Sequence, residues 1–224
     1  AERTYEMGLE MFTVGPWLAE FVPARHGPVR ITPMRYPITD AGEPGLPLSQ
    51  RKSVSVYFQP DKWHRGTDIL VRAARRIGRE LERRGLELVL FGSADNPYLK
   101  FDFPCRKLGV LTEVELAELF RDTRLGVSFS FTNASQLPFR FAAHGALALD
   151  LDLPCVRRNV PASLEPLVRY TAADPASVAD AILRCVDENV ADDARAGAVR
   201  TFCREHAWPA CVAELGDRLW SASR

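Results

Sequence analysis

A chain of 224 residues, 46% hydrophobic and 26% charged, has the composition of an ordinary globular protein large enough to bury one substantial core. Its 29 Lys and Arg residues balance 29 Asp and Glu, so bulk charge gives no reason to expect nucleic acid or an anionic membrane as partner, and any electrostatics that matter are local. Five widely spaced cysteines without a C-x-x-C pair argue against a disulfide framework and a zinc site and favour a reducing, cytoplasmic setting.

No apolar run approaches the roughly 20 residues that span a bilayer. The start, Ala1-Glu2-Arg3-Thr4, lacks the apolar core of a signal peptide and, without Met, is compatible with a piece excised from a longer protein.

In chain order, Phe12-Thr13-Val14 reads as a short strand. Gly15-Pro16 followed by Trp17, Leu18, Phe21 and Val22 reads as a helix with Pro in its first turn. This strand and helix have no neighbours to complete a sheet. Residues 31–50 are rich in proline and glycine and read as a linker. Residues 1–50 are therefore expected to be a remnant of one domain plus the linker, 51–200 a second domain, and 201–224 a closing helix.

Beyond the linker the pattern becomes regular. Residues 54–58 form a continuous apolar strand that runs into the loop Gln59-Pro60-Asp61-Lys62-Trp63-His64-Arg65-Gly66. Thr67 opens a helix with Ile69, Leu70, Ala73, Ile77 and Leu81 on one face and five arginines on the other. Glu80 and Glu82 interleave the arginines and no aromatics do, so a solvated face is preferred to a nucleic-acid patch. Strands are expected at 86–91, 108–111, 125–131, 146–151 and 168–170. Helices are expected after the capping box Thr112-Glu113-Val114-Glu115, at 137–144 ending on Gly145, after Asp174-Pro175, and at about 192–205 and 209–220. Alternating strands and helices over this length predict an α/β, Rossmann-like, doubly wound parallel sheet with its ligand at the carboxyl ends of the strands.

Two loops at those ends carry suitable chemistry. The first holds Gln59, Lys62, His64, Arg65 and Gly66. The second, Thr132-Asn133-Ala134-Ser135, leads into a short helix whose N–H groups and dipole suit an anion. Together they outline a diphosphate site. His144 reads as a helix C-terminal residue, and His26 and His206 as surface or packing residues. Asp150 and Asp152 read as turn residues without a third ligand nearby, so no metal site is expected. There is neither a G-x-G-x-x-G fingerprint nor a Walker loop, which disfavours dinucleotide oxidoreductases and P-loop NTPases.

These residues resemble the nucleotide-sugar-binding half of retaining GT-B glycosyltransferases, the large group that includes bacterial mannosyl- and rhamnosyltransferases. Gly15-Pro16-Trp17-Leu18 resembles the last strand and helix of the acceptor-side domain, and His64-Arg65-Gly66 the basic loop. Leu90-Phe91-Gly92 resembles the hydrophobic strand end, Gly109-Val110-Leu111-Thr112 the segment that meets the base, and the stretch from Ser130 through Pro138 to Gly145 the signature region.

The resemblance implies a nucleoside diphosphate sugar as donor substrate, no cofactor and no metal. It implies a polysaccharide-building hexosyl or deoxyhexosyl transfer with retention, catalysed by electrostatic stabilisation of the departing diphosphate. It also implies a missing N-terminal acceptor domain as partner, no nucleic acid, and membrane association only peripherally and through the full-length protein. By the same resemblance Arg65, Gly66, Lys62, Gln59, Asn133 and Ser135 hold the diphosphate, and Val110, Leu111 and Arg140 flank the base and ribose. Two departures stand out: the group's paired glutamates fall at Thr132 and Arg140, and its strand-end arginine at Gln59. The competing readings are a degenerate, non-catalytic binding or assembly module, and a sugar-nucleotide epimerase with too few cleft histidines.

Overall fold

A computed structural model describes residues 5, 7–38, 45–93, 99–132 and 135–222. Six strands form one sheet in which every pairing is parallel: β3 (Ser53–Tyr57), β4 (Glu87–Phe91), β5 (Cys105–Lys107), β6 (Thr123–Val127), β7 (Leu147–Leu151) and β8 (Val168–Thr171). Their spatial order is β5-β4-β3-β6-β7-β8. The chain lays down β3 in the middle, walks outward through β4 and β5, then returns to the other flank of β3 and walks outward again. This is the doubly wound, Rossmann-like α/β arrangement that the sequence predicts. Its loops diverge after β3 and β6, which opens a crevice between those two strand ends.

The layers follow from the sequence. All five residues of β7 are buried, as a parallel strand covered on both faces requires. On α2 (Thr67–Arg83), Leu70, Ala73, Ala74, Ile77 and Leu81 face the sheet while Arg72, Arg75, Arg76, Arg79 and Arg83 face solvent. Arg79 pairs with Glu82 and Arg83 with Glu80, so this is a solvated, internally paired face. α2 packs beside α6 (Pro175–Asp187), whose N-cap Asp174 accepts from the N–H groups of Ala176 and Ser177. The other sheet face is covered by α3 (Glu113–Asp122), opened by the Thr112/Glu115 capping box, and by α4 (Leu137–Ala143), stopped at Gly145 with φ 72°. Phe120 of α3 and Phe141 of α4 meet edge to face at 4.6 Å and both reach Phe91 of β4.

At the opposite end of the sheet, Arg51 is 1% exposed and donates to the carbonyls of Leu46, Thr123 and His144. One guanidinium thereby ties together the approach to β3, the start of β6 and the end of α4.

Two expectations need correction. The first strand is not isolated: β1 (Met11–Thr13), α1 (Pro16–His26) and β2 (Ile31–Pro33) form a unit in which β1 and β2 pair in parallel, so the proline-rich segment begins with a strand. The strand expected at 108–111 lies earlier, at β5, and Leu108 to Leu111 lead into α3. β5 is a three-residue edge strand, and its Cys-Arg-Lys sequence carries no apolar signal.

The chain closes with α5 (Pro154–Arg157), α7 (Asp192–Glu205) and α8 (Trp208–Ala222). The break between the last two is held by Ile38 N–H donating to His206 O at 3.0 Å and by a bridge from Ile38 to Ala207. Among the described residues no helix is long and apolar enough to cross a membrane.

Candidate functional site

The crevice between the ends of β3 and β6 gathers most of the polar residues singled out in the sequence. β3 leads through Phe58 to Gln59, whose Nε2 donates to Gly92 O at 3.1 Å and whose carbonyl accepts from Thr67 Oγ1 at 3.1 Å. A single 3-10 turn (Trp63–Arg65) then delivers the chain to Gly66, which is left-handed at φ 62° and ψ 29°. A Cβ at Gly66 would sit 3.1 Å from the ring of Phe131, so the loop needs glycine both for its conformation and for its approach to the segment after β6. Phe131 N–H donates to His64 O at 2.9 Å and stitches the two loops together.

Arg65 points its guanidinium back into this junction. Its carbon lies 5.4 Å from the centroid of Tyr57, and Nη1 makes a long 3.5 Å contact with Phe129 O. Nε is buried and has no hydrogen-bond partner among the described residues; the same is true of Gln59 Oε1. A buried donor and a buried acceptor left open at one strand end are costly unless a ligand or solvent completes them.

The β6 side adds a hydroxyl layer. Ser128, Ser130 and Ser135 are buried, Ser128 Oγ donates to Ser135 Oγ at 3.1 Å, and Ser135 Oγ accepts from Leu137 N–H at 3.3 Å. Ser135 is therefore already engaged by the first N–H of the seven-residue α4. Asn133 lies outside the described residues. Lys62 is exposed on the turn.

The structure adds a residue that the sequence reading set aside. Asp150 is not a turn residue: it is the fourth residue of β7, 1% exposed, opposite Tyr170 of β8. Burial pushes its carboxyl up to about 8, against the smaller opposing pull of an N–H bond from Leu151 and of the Arg65 charge. Desolvation likewise pushes the neighbouring Tyr170 phenol up. The signal was present in the sequence as a lone carboxylate inside an apolar strand. Asp152, by contrast, is exposed and pairs with Arg157 at the strand exit.

Val110, Leu111 and Arg140, expected from the sequence to flank a base and ribose, lie on the β5–α3 side of this cluster. Val110 is 75% exposed, and Leu111 is partly buried beside a cavity of about 320 Å³ between β5 and α3. Arg140 lies over the ring of Phe120 at 5.4 Å and donates from Nη2 to Glu113 Oε2 at 2.5 Å. A guanidinium only donates, so within this pair the hydrogen-bond acceptor is Glu113, from the start of α3. Among the described residues no three His, Cys, Asp or Glu side chains converge where they could hold a metal ion.

No family profile and no curated protein matches the sequence. Among solved structures the chain is similar to a glycosyltransferase from Rickettsia africae ESF-5, with TM-score 0.72 and 12% identity over 96% of this chain and 65% of that one. It is also similar to HepE from Anabaena, crystallised in complex with UDP and glucose, with TM-score 0.68 and 10% identity over 95% of this chain and 63% of that one. At these identities the likeness is one of fold, and the chain spans less than two thirds of either structure's length.

Proposed function

We propose that this chain is the nucleotide-sugar-binding part of a GT-B glycosyltransferase and that the nucleoside diphosphate lies in the crevice between β3 and β6. The observation that carries the reading is the Arg65 guanidinium, held at the switch point of the sheet with a buried Nε that has no hydrogen-bond partner among the described residues. Diphosphate oxygens would complete it, in a fold of which one example was solved with UDP and glucose. Gln59 and the Ser128/Ser135 layer would line the same crevice and Gly66 would let the loop close on it; Lys62 and Asn133, the latter outside the described residues, are assigned to the diphosphate from the sequence alone. Val110 and Leu111 would border the base, and Glu113, steered by Arg140, would accept from the ribose. In this reading residues 51–200 are the donor-binding domain, residues 1–50 belong to the acceptor side, and the setting is cytoplasmic. The transfer moves a hexose or deoxyhexose with retention, in polysaccharide building and of the kind carried out by mannosyl- and rhamnosyltransferases.

Calorimetric titration with UDP, GDP and dTDP, on the wild-type chain and on Arg65→Ala, tests the reading. Micromolar to millimolar binding of at least one nucleotide, weakened roughly 10- to 100-fold by the substitution, is expected for loss of a charge-assisted contact. No binding at millimolar concentration overturns it. A second reading, a binding module without transfer, is favoured by Arg140 standing where a carboxylate is expected. It differs in binding nucleotide without turning over any nucleotide sugar when an acceptor domain is supplied.

A further inference from the structure

The β1–α1–β2 unit shares no strand with the large sheet, and the chain leaves it through residues 34–38, which lie along the break between α7 and α8. That segment is tied to the break at several points. Ile38 N–H donates to His206 O at 3.0 Å, Arg35 donates to Glu205 O at 3.2 Å and pairs with Glu214 of α8 at 3.3 Å, and His206 Nδ1 lies 2.8 Å from Tyr36 O. A carbonyl only accepts, so Nδ1 carries the hydrogen and the imidazole is itself one of the ties.

The ring sits where a charge is poorly accommodated. It is 7% exposed and packs on Phe202 of α7 with the ring centroids 4.3 Å apart. The charged groups that face it are Arg35 from the segment after β2, Glu205 from α7 and Glu214 from α8. Glu214 is taken up by Arg35, and Glu205 accepts from Ser163 Oγ at 3.3 Å, so neither carboxylate is reserved for an imidazolium. His206 also lines a cavity of about 310 Å³, across which Arg158 is paired with Glu20 of α1 and α4 presents the uncharged Phe139. Burial above all, and the Arg35 charge, hold the imidazole below its ordinary value, against the opposing pull of the Tyr36 carbonyl and of Glu205 and Glu214. Hydrating an imidazolium here requires the two surfaces that enclose it to part.

We propose that His206 is a proton-operated latch, which as neutral imidazole holds residues 34–38 against the α7–α8 break and as imidazolium lets that segment, and with it the β1–α1–β2 unit, come away. The latch does not depend on what fills the crevice. Opening restores an ordinary imidazole, so the open form takes up a proton more readily than the closed one. The closed form is fully favoured above about pH 6.5 and loses that advantage as pH falls towards the value of the enclosed ring.

Amide exchange followed by NMR on the full chain at pH 5 and 7.5 tests this. The readout is the protection factor of the Ile38 amide, with the Phe58 amide, which donates to Phe91 O in the large sheet, as reference. In the wild type Ile38 should lose protection roughly three- to ten-fold at pH 5 while Phe58 does not. In His206→Asn, whose side-chain amide can still donate to Tyr36 O but does not titrate, Ile38 should keep its protection. Should that variant fail to fold, the wild type alone decides: the His206 ring must titrate below about 6.5, and the loss at Ile38 must level off below the ring midpoint. A ring midpoint at or above the ordinary value, an Ile38 amide as protected at pH 5 as at 7.5, or an equal loss in wild type and His206→Asn overturns the latch, whatever the nucleotide titration gives.

Discussion

Arg140 fastens α4 to the start of α3 by donating to Glu113 at 2.5 Å, across 27 positions of sequence. The arginine side chain is 17% exposed and the glutamate 70%. The pair is therefore one well-screened charge against one held on the aromatic layer of Phe120. Such contacts contribute about 0.2 to 1 kcal/mol when half-exposed. Arg140→Glu replaces attraction by repulsion and is expected to lower stability by roughly 1 kcal/mol. The exchange Glu113→Arg with Arg140→Glu is expected to regain most of that loss. Urea unfolding of the two single variants and the exchanged pair gives the coupling directly, and additive effects would mean the two side chains do not interact in solution.

Asp150 should make stability depend on pH. Its carboxyl keeps its proton up to about 8 in the fold, whereas an aspartyl group in an unfolded chain releases it near ~4. Between these values the native state binds more protons than the unfolded one, so stability falls as pH rises through that window and is highest, for this group, below it. Thermal midpoints at pH 5, 6.5 and 8.5 should therefore decline in the wild type and flatten in Asp150→Asn. Parallel slopes for the two proteins would remove Asp150 as the cause.

The same titration should reach the nucleotide. Among the described residues, Arg65, from the turn after β3, and Tyr170, from β8, interact electrostatically with Asp150. While Asp150 is neutral, the whole charge of Arg65 is available to a diphosphate; once it ionises, part of that charge is spent on the carboxylate. Under the proposed function, UDP affinity is expected to drop several-fold between pH 7 and 9 in the wild type and to hold steady in Asp150→Asn. Calorimetry at fixed ionic strength measures it, and an equal drop in both proteins would point to another group.

Gly126 of β6 shows how closely α4 is seated. An added Cβ would lie 2.1 Å from the ring of Phe141, with no room to give because that ring is itself fully buried. Gly126→Ala is expected to cost about 1 to 3 kcal/mol, the usual range for overpacking. Combining it with Phe141→Leu should return part of that by opening the same space. Denaturant midpoints of the three variants decide whether the clash or the lost strand glycine matters.

The parts of this molecule that were legible in its sequence are those where one local rule is sufficient. The Thr112/Glu115 capping box, the Asp174 cap, the left-handed stop at Gly145 and the apolar run of β7, interrupted by Asp150, each announce an element without reference to distant residues. What escaped depends on partners. β2 is recognisable only beside β1, because Ile31-Thr32-Pro33 carries no pattern of its own. β5 is an edge strand whose polar residues pair on one side with β4. In the candidate site the loop of Gln59, Arg65 and Gly66 could be placed from the strand before it. Asp150 showed in the sequence as a lone carboxylate inside an apolar strand, but its place opposite Tyr170 comes from the pairing of β7 with β8, which no local pattern gives. Nor does the sequence join Glu113 to Arg140, because only the side-by-side seating of α3 and α4 brings them together.

Arg51 offers the sharpest test of the scaffold that holds the crevice open. It sits beneath the sheet, away from the crevice, and donates to three carbonyls at 2.7, 2.9 and 2.9 Å. Burial lowers its guanidinium to about 10, with the charge of Arg195 as the next contribution, which leaves it fully protonated at neutral pH. Arg51→Met has similar length and no donors, so it removes a buried charge and at the same time strands the oxygens of Leu46, Thr123 and His144 from this donor. Replacing a buried ion by a hydrophobic side chain can be neutral where its partners leave with it. Here the partners are backbone carbonyls that stay, so a loss of about 3 to 5 kcal/mol is expected. Arg51→Lys keeps the charge but cannot reproduce three directed bonds, and should recover only part of the loss. Chemical denaturation of both variants provides the measurement. A methionine variant as stable as wild type would show that β6, α4 and the approach to β3 are held in register by apolar packing alone.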